Sequence, residues 1–309
     1  MKIRGVILLV IASVFWGLAF SVQSMGGKAA GAYTFNGVRM LLAALVMLAM
    51  IKIFDAKGLS PHRPATKADW KKLWKFGLLC GFFLCIATNL QQFALNVGAE
   101  AGRAGFLTAI YILMVPIVGI FLKKKFGWNL WVGVAIALVG LYFLCINGAF
   151  AITLPDLLLI LCAVGFTFHI CTVDRAYDVD PLRLSAIQFL VCGLLSMIPT
   201  ILFEILPNPG GFAAWSEIFG SGSFWLMIGY MAVCSCCIGY TLQILGQRDL
   251  SPPVASLIMS LESVFSVVFG FLILHEEMTG RQLFGCALIL AAVIISQLDF
   301  KKKEKVEIV

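Results

Sequence analysis

The apolar residues of this chain run in long blocks, separated by short segments rich in polar and basic side chains. Each block covers about 18 to 24 residues, enough at 1.5 Å per residue to cross a hydrocarbon layer of about 30 Å as a helix. The pattern predicts helices over 5–24, 33–54, 73–97, 101–122 and 129–146, then over 154–173, 183–206, 224–246, 254–274 and 282–298. The first block follows Lys2 and Arg4 in the manner of a signal peptide. No small-residue cleavage site closes it and another apolar block comes next, so it reads as a retained helix. The expected fold is an all-α membrane protein of ten transmembrane helices.

Composition removes the soluble alternative. Hydrophobic residues make up 61% of the 309 positions and charged ones 13%, about half the charged share of a soluble domain. The net charge of +7 suggests nucleic acid only until its distribution is read. With a cytoplasmic amino terminus and alternating helices, 19 of the 23 basic residues fall on the cytoplasmic side: Lys2 and Arg4, those from Lys52 to Lys75, Lys123 to Lys125, Arg175, Arg183, Arg248, and Lys301, Lys302, Lys303 and Lys305. Lys28, Arg103 and Arg281 fall outside, and Arg39 within a helix. This asymmetry follows the positive-inside rule. It predicts both termini in the cytoplasm, with the basic tail against anionic lipid rather than nucleic acid. Trp70, Trp74, Trp128, Trp131, Trp215 and Trp225 fall at span ends, where indole rings suit the interface. Nine of ten cysteines fall inside spans; Cys234, Cys236 and Cys237 point in divergent directions on one helix, which suits packing and not a metal. No cofactor is implied.

Displacing the chain on itself by about 150 residues brings Leu90 and Gln91 onto Leu242 and Gln243, Thr108 onto Ser260, and Gly133 onto Gly285. The reading is two five-helix repeats, residues 1–148 and 149–300, followed by a basic cytoplasmic tail at 301–309. Five is odd, so the second repeat starts on the opposite face and the two lie inverted in the bilayer. Gln91 is then expected toward the outer leaflet and Gln243 toward the inner one. Inverted repeats suit alternating access to one central site; the alternative is duplication in a structural membrane protein.

The stretches Ser13–Phe20 (SVFWGLAF), Phe35–Leu45 (FNGVRMLLAAL), Gly105–Leu122 (GFLTAIYILMVPIVGIFL) and Ser260–Leu290 (SLESVFSVVFGFLILHEEMTGRQLFGCALIL) resemble, in that order, the EamA-like transporters of the drug/metabolite transporter superfamily over nearly the whole chain. The resemblance implies a basket of ten helices around a central cavity built from helices 1, 3, 4, 6, 8 and 9. It also implies small metabolites, often amino acids or their relatives, exported across a bacterial inner membrane. The chain departs from the family pattern at Lys124, where a Glu is usual while Glu276 is kept in the second half, and at Ser263, where a Pro often follows Leu-Glu. The latter predicts a straighter ninth helix.

Charge inside a span is costly and marks candidate function. Glu262 lies about eight residues, roughly 12 Å, into the ninth expected helix; Ser266 shares its face. A desolvated carboxyl there could couple transport to protons, or serve as a structural pair. Arg39 offers a fork for a substrate carboxylate or phosphate, with snorkelling or helix locking the more usual role of such a residue. Trp16, Ser21, Asn89, Gln91, Gln92, Thr108, Tyr111, His169 and Gln243 are polar or amphipathic positions on the expected cavity helices, suited to orienting a small ligand or to bridging helices. His169 reads as a hydrogen-bonded residue near a helix end, too shallow for a proton relay. Ala101, Gly105 and Thr108, and Ser256, Ser260 and Ser263, form small-residue stripes suited to close helix approach.

Three histidines and no hydrolase or zinc-protease motif leave no enzymatic constellation. A receptor or scaffold that binds a solute without moving it is the other reading, and flux separates it from a transporter. The near-neutral cavity leans toward a zwitterionic, neutral or weakly cationic solute. The expected partners are that solute, the lipid bilayer and protons, with monomer and dimer both open.

Overall fold

The computed structural model describes residues 3–58, 62–145, 152–274 and 278–297. Lys2, Glu276 and the tail at 301–309 lie outside the described residues. The chain is helical almost throughout: α1 (Ile3–Ala30), α2 (Ala32–Ala56), α3 (Lys67–Asn96), α4 (Ala101–Ala109), α5 (Tyr111–Phe121), α6 (Trp128–Cys145), α7 (Leu154–Arg175), α8 (Pro181–Pro199), α9 (Gly211–Ser216), α10 (Gly222–Tyr230), α11 (Thr241–Gln247), α12 (Pro252–Met259), α13 (Leu261–Leu274) and α14 (Gly280–Gln297). Wider π-turns occupy Thr200–Ile205 and Met231–Tyr240. Among the described residues, eight helical stretches are long and apolar enough to cross a membrane, and two shorter apolar helices, Trp128–Leu144 and Gly280–Ser296, accompany them. The protein is an all-α, multi-spanning membrane bundle.

Several ends and breaks differ from the sequence pattern. α3 begins at Lys67, six residues before the expected start at 73. The Thr66 hydroxyl accepts from the Asp69 N–H at 3.1 Å and the Asp69 carboxylate accepts from the Thr66 N–H at 2.9 Å. This capping box satisfies the first orphan donors and lets a charged turn project from the apolar region.

The fourth and ninth expected helices are not continuous. The fourth breaks at Ile110, between α4 and α5, and the ninth at Ser260, between α12 and α13. The straighter ninth helix expected from Ser263 is therefore corrected. Ser256, Ser260 and Ser266 donate their hydroxyls to the carbonyls of Pro253, Leu257 and Ser263, each three residues back. Serine hydroxyls competing for helix carbonyls loosen the ladder much as a proline would. In the seventh stretch Pro199 has no N–H to give, and the chain widens directly after it while the Thr200 hydroxyl donates to the Ser196 carbonyl at 2.9 Å.

Small residues set the tightest crossings. On α6 and α14, a Cβ added at Gly285 would lie 2.6 Å from the Gly140 carbonyl oxygen, and one at Gly140 2.9 Å from that of Gly285. On α2 and α8, Gly37 faces Met197, Ser196 and Gly193, while Gly193 faces the side chain and backbone nitrogen of Leu41. Elsewhere α3 packs on α7 and α8, α1 on α11 and on 231–240, α2 on 231–240, α1 on α12 and α13, and α7 on α4 and α5. Each of these pairings maps onto another of them when the first five apolar stretches are exchanged with the last five.

Candidate functional site

The helices enclose a central cavity whose empty space is about 560 Å³, counting the part that opens to the surroundings. Trp16, Phe20 and Gln23 of α1 reach it at spacings of four and three residues, one face of a helix. Gln91 of α3, Phe166 and Ile170 of α7, and Tyr240 and Gln243 of the eighth stretch also line it. Arg39 and Met40 of α2, Thr88 of α3, Tyr111 and Glu262 complete the lining.

The two helix breaks deliver Tyr111 and Glu262. Tyr111 is the first residue of α5 and Glu262 the second of α13. The Tyr111 hydroxyl donates to Glu262 Oε1 at 3.1 Å, with the carboxylate 7% exposed. Nearby, the Ser263 hydroxyl donates to the Gly105 carbonyl at 3.1 Å, tying α13 to α4. The small-residue stripes thus meet each other at the foot of the acid.

Arg39 is 2% exposed and faces the cavity, not a lipid interface. Its Nε and Nη2 both donate to Asn36 Oδ1, at 3.0 and 2.7 Å. The Asn36 amide is itself held, donating to the Thr88 hydroxyl at 3.1 Å and the Ser196 hydroxyl at 3.2 Å. A ring of small hydroxyls from α3 and α8 therefore aims the guanidinium. The Phe35 ring lies 5.9 Å from its central carbon.

The aromatic wall is fixed by polar edges. The Trp16 indole N–H donates to the Ser235 carbonyl at 3.0 Å, within the wide-turn segment, and the ring lies 5.1 Å from that of Tyr240. Tyr111 and Phe166 meet edge to face at 6.4 Å. Wide turns of this kind recur at functional positions.

Of the residues singled out from sequence, Trp16, Arg39, Gln91, Tyr111, Gln243 and Glu262 line the cavity. Ser21 is buried away from its lining. Asn89 donates to Cys85 and Ser196, Gln92 to the Gln23 carbonyl, and Thr108 accepts from the Gln91 amide at 3.2 Å, so these three bridge helices behind the wall. His169 lies six residues before the end of α7. It is fully buried, shares a 3.0 Å hydrogen bond with Gln188 Oε1 and meets Tyr240 edge to face at 5.7 Å. The sequence reading missed Gln23, Thr88 and Tyr240. Gln23 had a signal, because it continues the Trp16 face by two turns.

The two ends of the α2–α8 pair carry related contacts. At one face, Asp55 at the end of α2 receives Arg183 at the start of α8, at 2.5 Å, and Arg183 also donates to Asp180 at 2.8 Å. At the other end of the same two helices, Glu204 after α8 receives the N–H groups of Tyr33 and Thr34 at the start of α2, at 2.8 and 2.7 Å, and the Thr34 hydroxyl at 2.5 Å. The Trp215 indole donates to that same hydroxyl at 2.8 Å. Each acid at the end of one helix holds the beginning of the other.

Comparison with known proteins places this architecture. Residues 3–146 and, separately, 153–297 match the EamA-like transporter family. An uncharacterized transporter of Archaeoglobus fulgidus is 27% identical over 299 residues, covering 94% of this chain and 84% of that one. The inner membrane transporter YedA of Escherichia coli K12 is 24% identical, covering 91% and 87%. An S-adenosylmethionine/S-adenosylhomocysteine transporter of Chlamydia trachomatis is also 24% identical, covering 92% and 88%. A crystal structure 19% identical in sequence superposes with a TM-score of 0.68 over 93% of this chain and 96% of that chain, a likeness of fold. With both halves matched, the chain belongs to the EamA-like transporter family: it is a membrane transporter of small solutes in the drug/metabolite transporter superfamily.

Proposed function

We propose that the protein exports a small metabolite, such as an amino acid or a related solute, across a bacterial inner membrane by alternating access. In this reading ten helices form two five-helix repeats of opposite orientation, residues 1–148 and 149–300, with both termini in the cytoplasm. The central cavity is the binding site, and Glu262 takes up and releases the coupling proton.

The observation that carries the reading is the pair of related contacts at the two ends of α2, the helix that lends Arg39 and Met40 to the cavity. Asp55–Arg183 and Glu204–Thr34 sit at opposite ends of α2 and α8, about 30 Å apart along helices of this length. Opening one while the other holds would expose the cavity to one side at a time. The corresponding positions, Asp55 with Glu204 and Thr34 with Arg183, are each separated by about 150 residues, the spacing of the repeat. Support also comes from the helix pairings, which survive exchange of the two halves, and from the family match, which occurs once in each half. The Escherichia coli relative bears an inner-membrane name and the Chlamydia trachomatis relative is named for a solute containing an amino acid.

The test is solute flux in proteoliposomes with an imposed pH gradient, comparing the native chain with Glu262→Gln. The reading expects gradient-driven flux that the substitution uncouples. Solute binding without flux would make the protein a receptor, and unchanged gradient-responsive flux in the variant would remove Glu262 from coupling.

A further inference from the structure

A second open space lies one helical turn beyond the central cavity. Its empty volume is about 840 Å³, counting the part that opens to the surroundings. It sits on the face where α7 ends and α8 begins, the face of the Asp55–Arg183 pair. The same two helices border both spaces. On α7, Ile170 lines the cavity while Asp174 and Arg175 line the outer space; on α11, Gln243 lines the cavity while Gln247 lines the outer space. Four residues of helix span about 6 Å. The wall between the two spaces is therefore a single layer of side chains.

That layer is held by hydrogen bonds. Gln243 Nε2 donates to Gln247 Oε1 at 2.9 Å, and Gln247 Nε2 donates to the Ile170 carbonyl at 3.0 Å. Both glutamines are buried, at 2% and 3% exposure. Just beyond them Arg248 donates to the Val179 carbonyl and joins the end of α11 to the α7–α8 connection. The Ile170 carbonyl lies inside α7, where the helix ladder already uses it, so releasing Gln247 strands no backbone group. A freed Gln247 amide turns into the outer space and exchanges its protein partners for water.

We propose that Gln243 and Gln247 form a side-chain gate between the central cavity and this outer vestibule, and that solute passes between the cavity and this face of the membrane where Gln247 swings aside. The proposal rests on reading the cavity as the binding site and gives that site a route to one face.

The backbone around the gate is pinned, which assigns the movement to side chains. Gly246, beside Gln247, lies against α1: a Cβ there would be 2.7 Å from Leu9 Cγ and 3.2 Å from the Gly5 carbonyl oxygen, and one at Gly5 would be 3.0 Å from the Gly246 carbonyl oxygen. On α7, a Cβ at Gly165 would be 3.1 Å from the Ala87 nitrogen of α3. Either helix would have to lift off a neighbour at backbone contact in order to shift. A glutamine needs only a change of rotamer.

The test uses the full chain with every cysteine except Cys236 replaced. Cys236 lines the cavity, and its labelling by the membrane-impermeant trimethylammonium-ethyl methanethiosulfonate is timed from each face of sealed vesicles. Tyr177→Cys in a cysteine-free chain, at the vestibule rim and 64% exposed, identifies the face on which the vestibule opens. Gln247→Ala removes both hydrogen bonds of the gate. Labelling of Cys236 from the vestibule face is expected to rise roughly tenfold, the scale of two ordinary hydrogen bonds, with the rate from the opposite face unchanged. Gln247→Asn keeps the amide and shortens its reach; it should act in the same direction and serves if the alanine variant does not fold. An unchanged rate from the vestibule face, or an equal rise from both faces, overturns the gate. The native chain separates this outcome from the alternating-access reading. Labelling from the vestibule face alone, sped by the substitution, refutes alternating access and leaves the gate; labelling from both faces with no response to Gln247 refutes the gate and leaves alternating access.

Discussion

Tyr111 donates its hydroxyl to Glu262 at 3.1 Å, from two positions that each closely follow a break in a helix. A broken helix turns a side chain inward where a continuous one would carry it past. The chain thus uses one device twice, and its two products meet in the cavity.

Removing that hydroxyl should weaken transport without unfolding the bundle. Tyr111→Phe keeps the ring against Phe166 and removes one hydrogen bond to the acid, a contact of about 1.5–3 kcal/mol when one partner is charged. Flux in proteoliposomes is expected to fall about tenfold, with the bundle still folded and the melting temperature lowered by only a few degrees; undiminished flux would show that the contact does not serve transport.

The closures at the two ends should bias the cavity in opposite directions. Asp55→Asn weakens the hold on Arg183, and Glu204→Gln weakens the hold on the start of α2. Cys236 lines the cavity and can report access if the other cysteines are replaced. A membrane-impermeant thiol reagent applied to one side of sealed vesicles should label Cys236 faster in one variant and slower in the other, with the order reversed from the opposite side. The same direction of change in both variants would contradict the arrangement.

Close backbone crossings should tolerate no added methyl. Gly17→Ala would place its Cβ 2.4 Å from that of Phe265, and Gly285→Ala would place its Cβ 2.6 Å from the Gly140 carbonyl. Each is expected to cost about 1–3 kcal/mol, the range for overpacking. Gly229→Ala, with nothing within 4 Å of the new atom, is the control that should show no loss in thermal or denaturant unfolding.

A fourth expectation concerns the start of α7. Asp156 is 1% exposed, takes Arg103 in a two-point grip at 2.6 and 2.7 Å, and accepts from the Thr153 N–H at 2.7 Å. Asp156→Ala removes the carboxylate partner of Arg103 and a helix-start acceptor together. The loss should be about 3 kcal/mol, and Asp156→Asn, which keeps the acceptor, should recover part of it in the same unfolding measurement.

Long apolar blocks made the membrane bundle and its family legible from sequence, because the bilayer imposes length and polarity on every span. The lone charges were legible for the same reason, and Glu262 proved to line the cavity. Orientation around a helix was harder to read. For Arg39, snorkelling or helix locking is the usual role and α2 was also expected outside the cavity, yet the residue lines the cavity beside the Asn36, Thr88 and Ser196 network. Asn89 and Gln92 looked equally exposed to the cavity in one dimension, and only the packing of α3 on α8 and α1 shows them spent on neighbours. The break at Ser260 was masked by an expectation attached to proline, although serine hydroxyls reach the same end by another route.

The contacts at the two ends of α2 and α8 differ in kind as well as in place. One joins opposite full charges, Asp55 and Arg183; the other sets a carboxylate against neutral backbone amides. Ionic strength weakens attraction between partly exposed full charges more than it weakens a hydrogen-bonded cap. Under the proposed alternating access, dissolved salt on the Asp55 side would act as a thermodynamic lever on which vestibule stands open at rest, while solute and ion gradients would set the long-term direction of net movement.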